Sequence, residues 1–456
     1  MNDLASVTLE HRAQAHAARR TALACMVALA VTLGVGRFAF TPLLPLMLKE
    51  GMLDIQQGGW LASANYAGYC LGALTCAALR VDAARVVRWG LVATALLVLA
   101  MGVTHGFWIW LAIRFAAGVA SAWTFVFASQ WGLRRLAELH ASALGGMIYM
   151  GPGFSIAATG LFVSVAGGLG ATAGWFGFGV VAASLTALVW RVFAPARGGT
   201  AQRVPVARQP DPAQTSTASH AGTFANGARR SPTPACATSS NPAATAPTSP
   251  GATFVHSAHA THSTHAAHDL PPTHHSDALW LIVLYAMPGF GYIITATFLP
   301  VIARAALPGT VWPDLFWPMF GVALMVGAWA GTRLPLHWDN RTLMAVSYVL
   351  QAVGIALSIV WPSVGGFALG SVLIGLPFTA ITLFAMREAR RLHGDAAAGL
   401  MGYATAAYGL GQILGPLVAA PIAARTGSFT PALWLAAAVL LAGAAGLGLV
   451  TARRAR

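Results

Sequence analysis

The chain has 456 residues, 57% of them hydrophobic and only 9% charged, with a formal net charge of +14 and a mean hydropathy of +0.65. Soluble domains carry about a quarter charged residues, so this composition excludes an ordinary soluble protein and indicates an integral membrane protein. The positive charge does not point to nucleic acid, because the basic residues punctuate apolar stretches instead of gathering on one soluble face.

Apolar stretches long enough to cross a hydrocarbon core of about 30 Å recur along the chain. After a short tail (1–20), the first covers 21–47 and contains Arg37 within Gly34-Val35-Gly36-Arg37-Phe38-Ala39-Phe40-Thr41-Pro42-Leu43-Leu44-Pro45. A guanidinium is permanently charged, is costly inside a bilayer, and usually faces a protein interior or an aqueous cavity, so Arg37 is a functional-site candidate from the start. At 1.5 Å per residue from Thr21 it lies roughly 24 Å into the membrane. Pro42 and Pro45 each remove a backbone N–H and favour a bend. The second stretch, 60–79, carries Asn65, Tyr66 and Tyr69, and a short charged turn follows with Arg80, Asp82, Arg85 and Arg88. The third is 89–103. The fourth, 107–133, contains Arg114-Phe115-Ala116-Ala117-Gly118-Val119-Ala120-Ser121-Ala122, in which Gly118 and Ala122 stack on one helix face and let a neighbouring helix come close. Arg114 lies roughly 10 Å from the start of that span. The fifth, 141–166, carries Tyr149 and Gly151-Pro152-Gly153, and the sixth is 171–193.

Residues 194–277 are rich in Pro, Ala, Ser, Thr and His, with few large apolar residues. Such a segment cannot bury enough surface to offset its ordering entropy, which predicts a disordered cytoplasmic tether. Within it His256, His259, His262, His265 and His268 repeat every third position. Imidazoles at that density could hold zinc, nickel or copper loosely, but no thiolate or carboxylate accompanies them, and the tract reads as low-complexity tether without a dedicated metal site.

Six further stretches follow at 278–302, 315–336, 343–361, 366–385, 397–423 and 432–450, with a C-terminal bundle ending at 452 and a basic tail at 453–456. The seventh carries Tyr292 and Pro300. Asp339 and Arg341 after the eighth echo the charged turn after the second. The eleventh contains Tyr403, Tyr408 and Gly411-Gln412-Ile413-Leu414-Gly415-Pro416. Cys25, Cys70, Cys76 and Cys236 show no paired spacing and read as free thiols. Of the 27 Lys and Arg residues, 22 fall in the segments that are cytoplasmic if the N-terminus is inside, three fall in the outer segments, and Arg37 and Arg114 lie within spans. Both termini are therefore expected in the cytoplasm.

The halves resemble each other. Gly36 and Gly291, Pro45 and Pro300, and Gly72 and Gly327 share one offset of 255 positions, and Arg134-Arg135-Leu136 recurs as Arg390-Arg391-Leu392 one position later. This predicts an all-α membrane protein of twelve helices in two pseudo-symmetric six-helix bundles, 21–193 and 278–452.

Twelve spans, R-x-x-x-G-x-x-x-A in the fourth, G-x-x-x-G-P in the eleventh and charged turns after the second and eighth together resemble the major facilitator superfamily. Within it, the segment around Gly36-Arg37-Phe38 and Gly59-Trp60-Leu61-Ala62-Ser63-Ala64-Asn65-Tyr66-Ala67-Gly68-Tyr69 are similar to the bacterial YbfB/YjiJ group. The charged turn departs from the usual pattern, since Val86 and Val87 stand where a glycine and a base are expected. The resemblance implies a secondary transporter of the bacterial inner membrane, working by alternating access, without naming a cargo. It also implies a gating role for Arg80, Asp82, Arg85, Asp339 and Arg341, and a proton-coupling role for Arg114.

No Asp or Glu lies clearly at mid-span, so two membrane cations need another partner: helix carbonyls, a polar side chain such as Asn65 or Gln412, or an anionic substrate. Arg37 is expected either to contact an anionic group of a small organic solute or to hold the carbonyls of its own bent helix. Asn65, Tyr66, Tyr69, Tyr149, Tyr292, Tyr403, Tyr408 and Gln412 could complete the pocket, while Arg114, Gly118, Gly411, Gly415 and Pro416 serve packing or coupling. The alternatives are a drug–proton antiporter, a metal-ion exporter using the His tract, and a non-transporting receptor. An enzyme is not expected, since G-x-S-x-G, H-E-x-x-H and acid–base pairs within spans are missing. The expected working form is a monomer in the bilayer, without a cofactor, with a small-molecule substrate and coupling protons as partners.

Overall fold

The computed structural model describes residues 2–79, 81–193, 272–335, 337–394 and 397–455. Among these there are helices and turns but no strand. The predicted linker up to 271, with its five spaced histidines and Cys236, lies outside the described residues, as does Arg80.

Helix α1 (Asn2–Leu29) passes through a π-helical segment, Ala30–Phe38, into α2 (Phe40–Lys49), so the first span begins inside the predicted tail. The widened turns of the π segment directly precede Pro42, where an α-helix would lose a hydrogen bond in any case. Helix α3 (Ile55–Thr75) starts at a capping box: the Gln57 N–H donates to Asp54 Oδ1 at 2.8 Å and the Asp54 N–H to Gln57 Oε1 at 3.0 Å. Asp82 caps α4 (Ala83–Val103), and α5 (Phe107–Glu138) follows a turn through Gly106 at φ +112°. Short α6 (Gly145–Ile148) leads into α7 (Gly151–Ala166) and α8 (Gly170–Val189).

The second half comprises α9 (Pro272–Ala306), α10 (Pro313–Arg333), α11 (Asn340–Val360), α12 (Val364–Gly375), α13 (Phe378–His393), α14 (Ala397–Thr426) and α15 (Thr430–Ala455). Because α9 starts at Pro272, residues 272–277 are helix and not the end of a tether.

Among the described residues, ten helical stretches are long and apolar enough to cross a membrane, which makes this a multi-pass membrane protein. The count differs from twelve for two reasons. The stretch Ser142–Val189 counts once although it doubles back: Gly170 takes φ +89°, and the rings of Phe162 and Phe178 on either side of that turn lie 4.8 Å apart. Helix α3 has the length to cross, but Gln56, Gln57, Asn65 and its glycines dilute its hydropathy.

The sequence repeat recurs in space. A Cβ on Gly72 of α3 would lie 2.8 Å from the Val119 carbonyl oxygen of α5, and one on Gly327 of α10 would lie 1.7 Å from the carbonyl oxygen of Leu376, between α12 and α13. Both are places where helices of one half touch backbone to backbone. The halves meet through α2 with α9, α3 with α14, and α7 with α10. At the first of these the Thr41 hydroxyl donates to the Ala296 carbonyl at 3.3 Å, two positions 255 apart, as expected where a repeat meets its own equivalent across a pseudo-two-fold axis. Close to it, the Ser63 hydroxyl donates to the Ile413 carbonyl at 2.8 Å and the hydroxyls of Tyr66 and Thr297 lie 3.0 Å apart.

A candidate substrate site around Arg37

The π segment brings Arg37 to the contact between the halves, where its side chain is 6% exposed. Its Nη2 donates to Gln412 Oε1 of α14 at 2.9 Å, and the Gln412 amide nitrogen donates to the Tyr292 hydroxyl of α9. The rings of Tyr292 and Tyr408 lie nearly parallel with centroids 6.0 Å apart. On the first-half side the guanidinium carbon lies 4.5 Å from the ring centre of Tyr69 and 4.8 Å from that of Tyr66, both on α3. These aromatic faces attract a cation but do not neutralise it. Arg37 Nε and Arg114 Nε are each buried without a hydrogen-bond partner, and among the described residues no carboxylate forms an ion pair with either arginine.

Arg114, and not Arg37 as the structural alternative had it, holds the carbonyls of the bent first helix. Its Nη1 donates to the Gly36 carbonyl at 3.1 Å and its Nη2 to the Arg37 carbonyl at 3.0 Å. In the i→i+5 pattern of a π-helix the Arg37 carbonyl would face the nitrogen of Pro42, which has no hydrogen to donate. Arg114 supplies that donor from a neighbouring helix and is 2% exposed. Arg37 is therefore not the residue that holds the bend, and its own head is left to Gln412 and two tyrosine faces.

The small-residue patterns set these distances. A Cβ on Gly118 would lie 2.1 Å from the Asn65 carbonyl oxygen and 2.7 Å from the Tyr69 nitrogen, so α5 presses directly on the α3 segment that carries the tyrosines. Gly411 and Gly415 do the same for α14 on α9: Cβ atoms there would lie 2.4 Å from the Ala286 carbonyl oxygen and 2.3 Å from the Ile293 side chain. The Pro416 carbonyl oxygen lies 2.9 Å from where a Cβ on Gly59 would be, at the α3–α14 contact between halves.

Of the expected pocket residues, Arg37, Tyr66, Tyr69, Tyr292, Tyr408 and Gln412 come together. Asn65 does not join them; its amide donates to the Arg114 carbonyl at 2.9 Å and fastens α3 to α5. Tyr403 is 70% exposed and nine residues before Gln412, about 13 Å along the helix. Tyr149 packs on Phe125 with ring centres 6.3 Å apart, away from this cluster. Tyr285 was missed: its ring stacks on Tyr408 at 4.8 Å, and its hydroxyl donates to Thr382 at 3.0 Å. Its position seven residues before Tyr292, two helical turns along one face, was the available signal.

The charged turns differ between the halves. Asp82 and Arg85 form an exposed pair at 3.8 Å. In the second half Arg341 is buried against Glu388 at 2.7 Å with Asp277 at 4.0 Å, and Arg391 bridges Asp339 at 3.0 Å and Glu388 at 3.5 Å. No group of three His, Cys, Asp or Glu side chains placed to hold a metal occurs among the described residues.

The family model described as "Uncharacterised MFS-type transporter YbfB" matches residues 29–226 and 247–447. The chain belongs to this family. It is a transporter of the major facilitator superfamily, as the paired halves and the R-x-x-x-G-x-x-x-A helix suggested. Among solved structures, a variant of the nucleoside transporter NupG superposes with a TM-score of 0.66, covering 94% of this chain and 99% of its own, at 12% identity. At that identity the likeness concerns the fold. No curated protein matches the sequence.

Proposed function

We propose that this member of the YbfB-type family is a secondary carrier of twelve spans, with both termini cytoplasmic in a bacterial inner membrane, that moves a small organic anion by alternating access. The single observation that carries the reading is the state of Arg37. It is a buried guanidinium without a carboxylate whose head, unlike that of Arg114, is not held by backbone carbonyls, so it retains a charge that an anionic substrate would neutralise. Its location supports the same reading, because Gln412 and Tyr292 tie it to the opposite half, and a ligand there would touch both halves at once. Proton coupling through Arg114 fits less well, since both of its terminal nitrogens are occupied by backbone carbonyls.

A drug–proton antiporter is the second reading, favoured by the aromatic walls, which suit apolar cations as well. A thermal-shift panel of small carboxylates and cationic drugs on purified protein separates the two. Stabilisation by carboxylates is expected; stabilisation by cationic drugs alone would refute the anion reading.

A further inference from the structure

The site around Arg37 has aromatic walls contributed by both halves. Tyr66 and Tyr69 turn their faces to the guanidinium from one side. From the other, the rings of Tyr292 and Tyr408 lie within 19° of parallel, and Phe378 meets Tyr292 edge-on at 4.8 Å. Tyr66 and Tyr292 are buried, whereas Tyr69, Tyr408 and Phe378 are only half-buried; because Tyr285 and Tyr292 stack on Tyr408, what it offers a ligand is its ring edge. A Cβ on Gly409 would lie 3.4 Å from Cys70 Sγ, so α14 and α3 approach closely at the level of these tyrosines.

Charge and hydrogen bonding narrow the ligand. Neither arginine has a carboxylate partner, but the terminal nitrogens of Arg114 are held by the Gly36 and Arg37 carbonyls, so Arg37 is the head left to grip a ligand. One free head suits one carboxylate, while a second carboxylate would be desolvated among the aromatic walls without a donor. The hydroxyls of Tyr66 and Tyr292 already have partners, so the walls favour a flat apolar body over a polyhydroxylated one.

We propose that the site takes a planar aromatic monocarboxylate, its carboxylate on Arg37 and its ring against Tyr69 and Tyr408. This rests on the reading of Arg37 as the anion contact. The test is calorimetric titration of the purified full-length protein at neutral pH with benzoate, cyclohexanecarboxylate, phthalate, benzamide and benzylammonium. Benzoate is expected to bind about tenfold more tightly than cyclohexanecarboxylate, the effect of one or two ring–ring contacts, and more tightly than phthalate or benzamide. Tyr69→Leu and Tyr408→Leu should each narrow the gap between benzoate and cyclohexanecarboxylate, and Arg37→Gln should abolish both. If the tyrosine variants do not fold, the comparison on the unaltered protein decides alone. Equal binding of benzoate and cyclohexanecarboxylate, both lost in Arg37→Gln, would overturn the aromatic proposal and leave the anion reading standing. Binding of benzylammonium or benzamide without any carboxylate, or of no probe, would overturn both.

Discussion

Replacing Arg114 by glutamine should destabilise the protein while replacing Arg37 by glutamine should not, although both remove a buried guanidinium. Arg114 gives two charge-assisted hydrogen bonds, at 3.1 and 3.0 Å, to carbonyls in the π segment. At about 1.5–3 kcal/mol each, these are worth about 3–6 kcal/mol together. Part is recovered because the variant no longer buries a charge, leaving a net loss of about 2–4 kcal/mol. Arg114→Lys keeps the charge but not the fork, and should lose about half as much because one ammonium cannot serve both carbonyls in the same geometry. Arg37 makes one side-chain hydrogen bond and leaves its Nε without one, so Arg37→Gln should be neutral or stabilising in the ligand-free protein, in the manner of a functional site held at a cost to stability. The assay is thermal melting of the purified variants in one detergent. Arg114→Gln melting like the unaltered protein while Arg37→Gln falls by several degrees would show that the two roles are reversed.

Gly118→Ala should lower the melting temperature and the folded yield, since its Cβ would lie 2.1 Å from the Asn65 carbonyl oxygen and must push α3 away, at a cost of about 1–3 kcal/mol or more. Glu388→Gln should destabilise, by less than the ~3–5 kcal/mol of a wholly stranded buried charge because Asp277 remains 4.0 Å from Arg341. The double variant Arg341→Met with Glu388→Met should recover most of that loss in the same melting assay. Deleting residues 210–271 should leave vesicle flux unchanged if the linker is only a tether. Loss of a metal-dependent flux on that deletion would favour the His tract.

The features written locally in the sequence were the ones that could be read from it. An arginine in an apolar run, glycines four apart, prolines near the middle of a span and an offset of 255 are all visible without knowing what touches what. They located Arg37, the small-residue faces of α5 and α14, and the repeat that Thr41 and Ala296 complete in space. The division of labour between the arginines was not legible, because it depends on a widened helical turn that exposes the Arg37 carbonyl to Arg114, 77 residues away. Nor was the direction in which a polar residue points around its helix. Asn65 and Tyr66 are adjacent, yet one fastens α5 and the other joins the Arg37 cluster. Tyr403 and Tyr408 lie on one helix, but five residues correspond to about 500° of rotation, so they point in different directions, and only Tyr408 faces Tyr292. Gln412 could be suspected as a partner, but its contact spans 375 positions and follows only from the docking of the halves.

The claim that Arg37 holds an anionic substrate during transport is tested most directly by flux of labelled small carboxylates, benzoate among them, into vesicles reconstituted with the unaltered protein, Arg37→Lys or Arg37→Gln. Removing one partner of a buried charge pair costs about 2–5 kcal/mol, so Arg37→Gln should reduce flux at limiting substrate by roughly 30-fold or more. Arg37→Lys, which retains the charge without the bidentate fork, should fall between the two. Undiminished carboxylate flux through both variants would contradict the account.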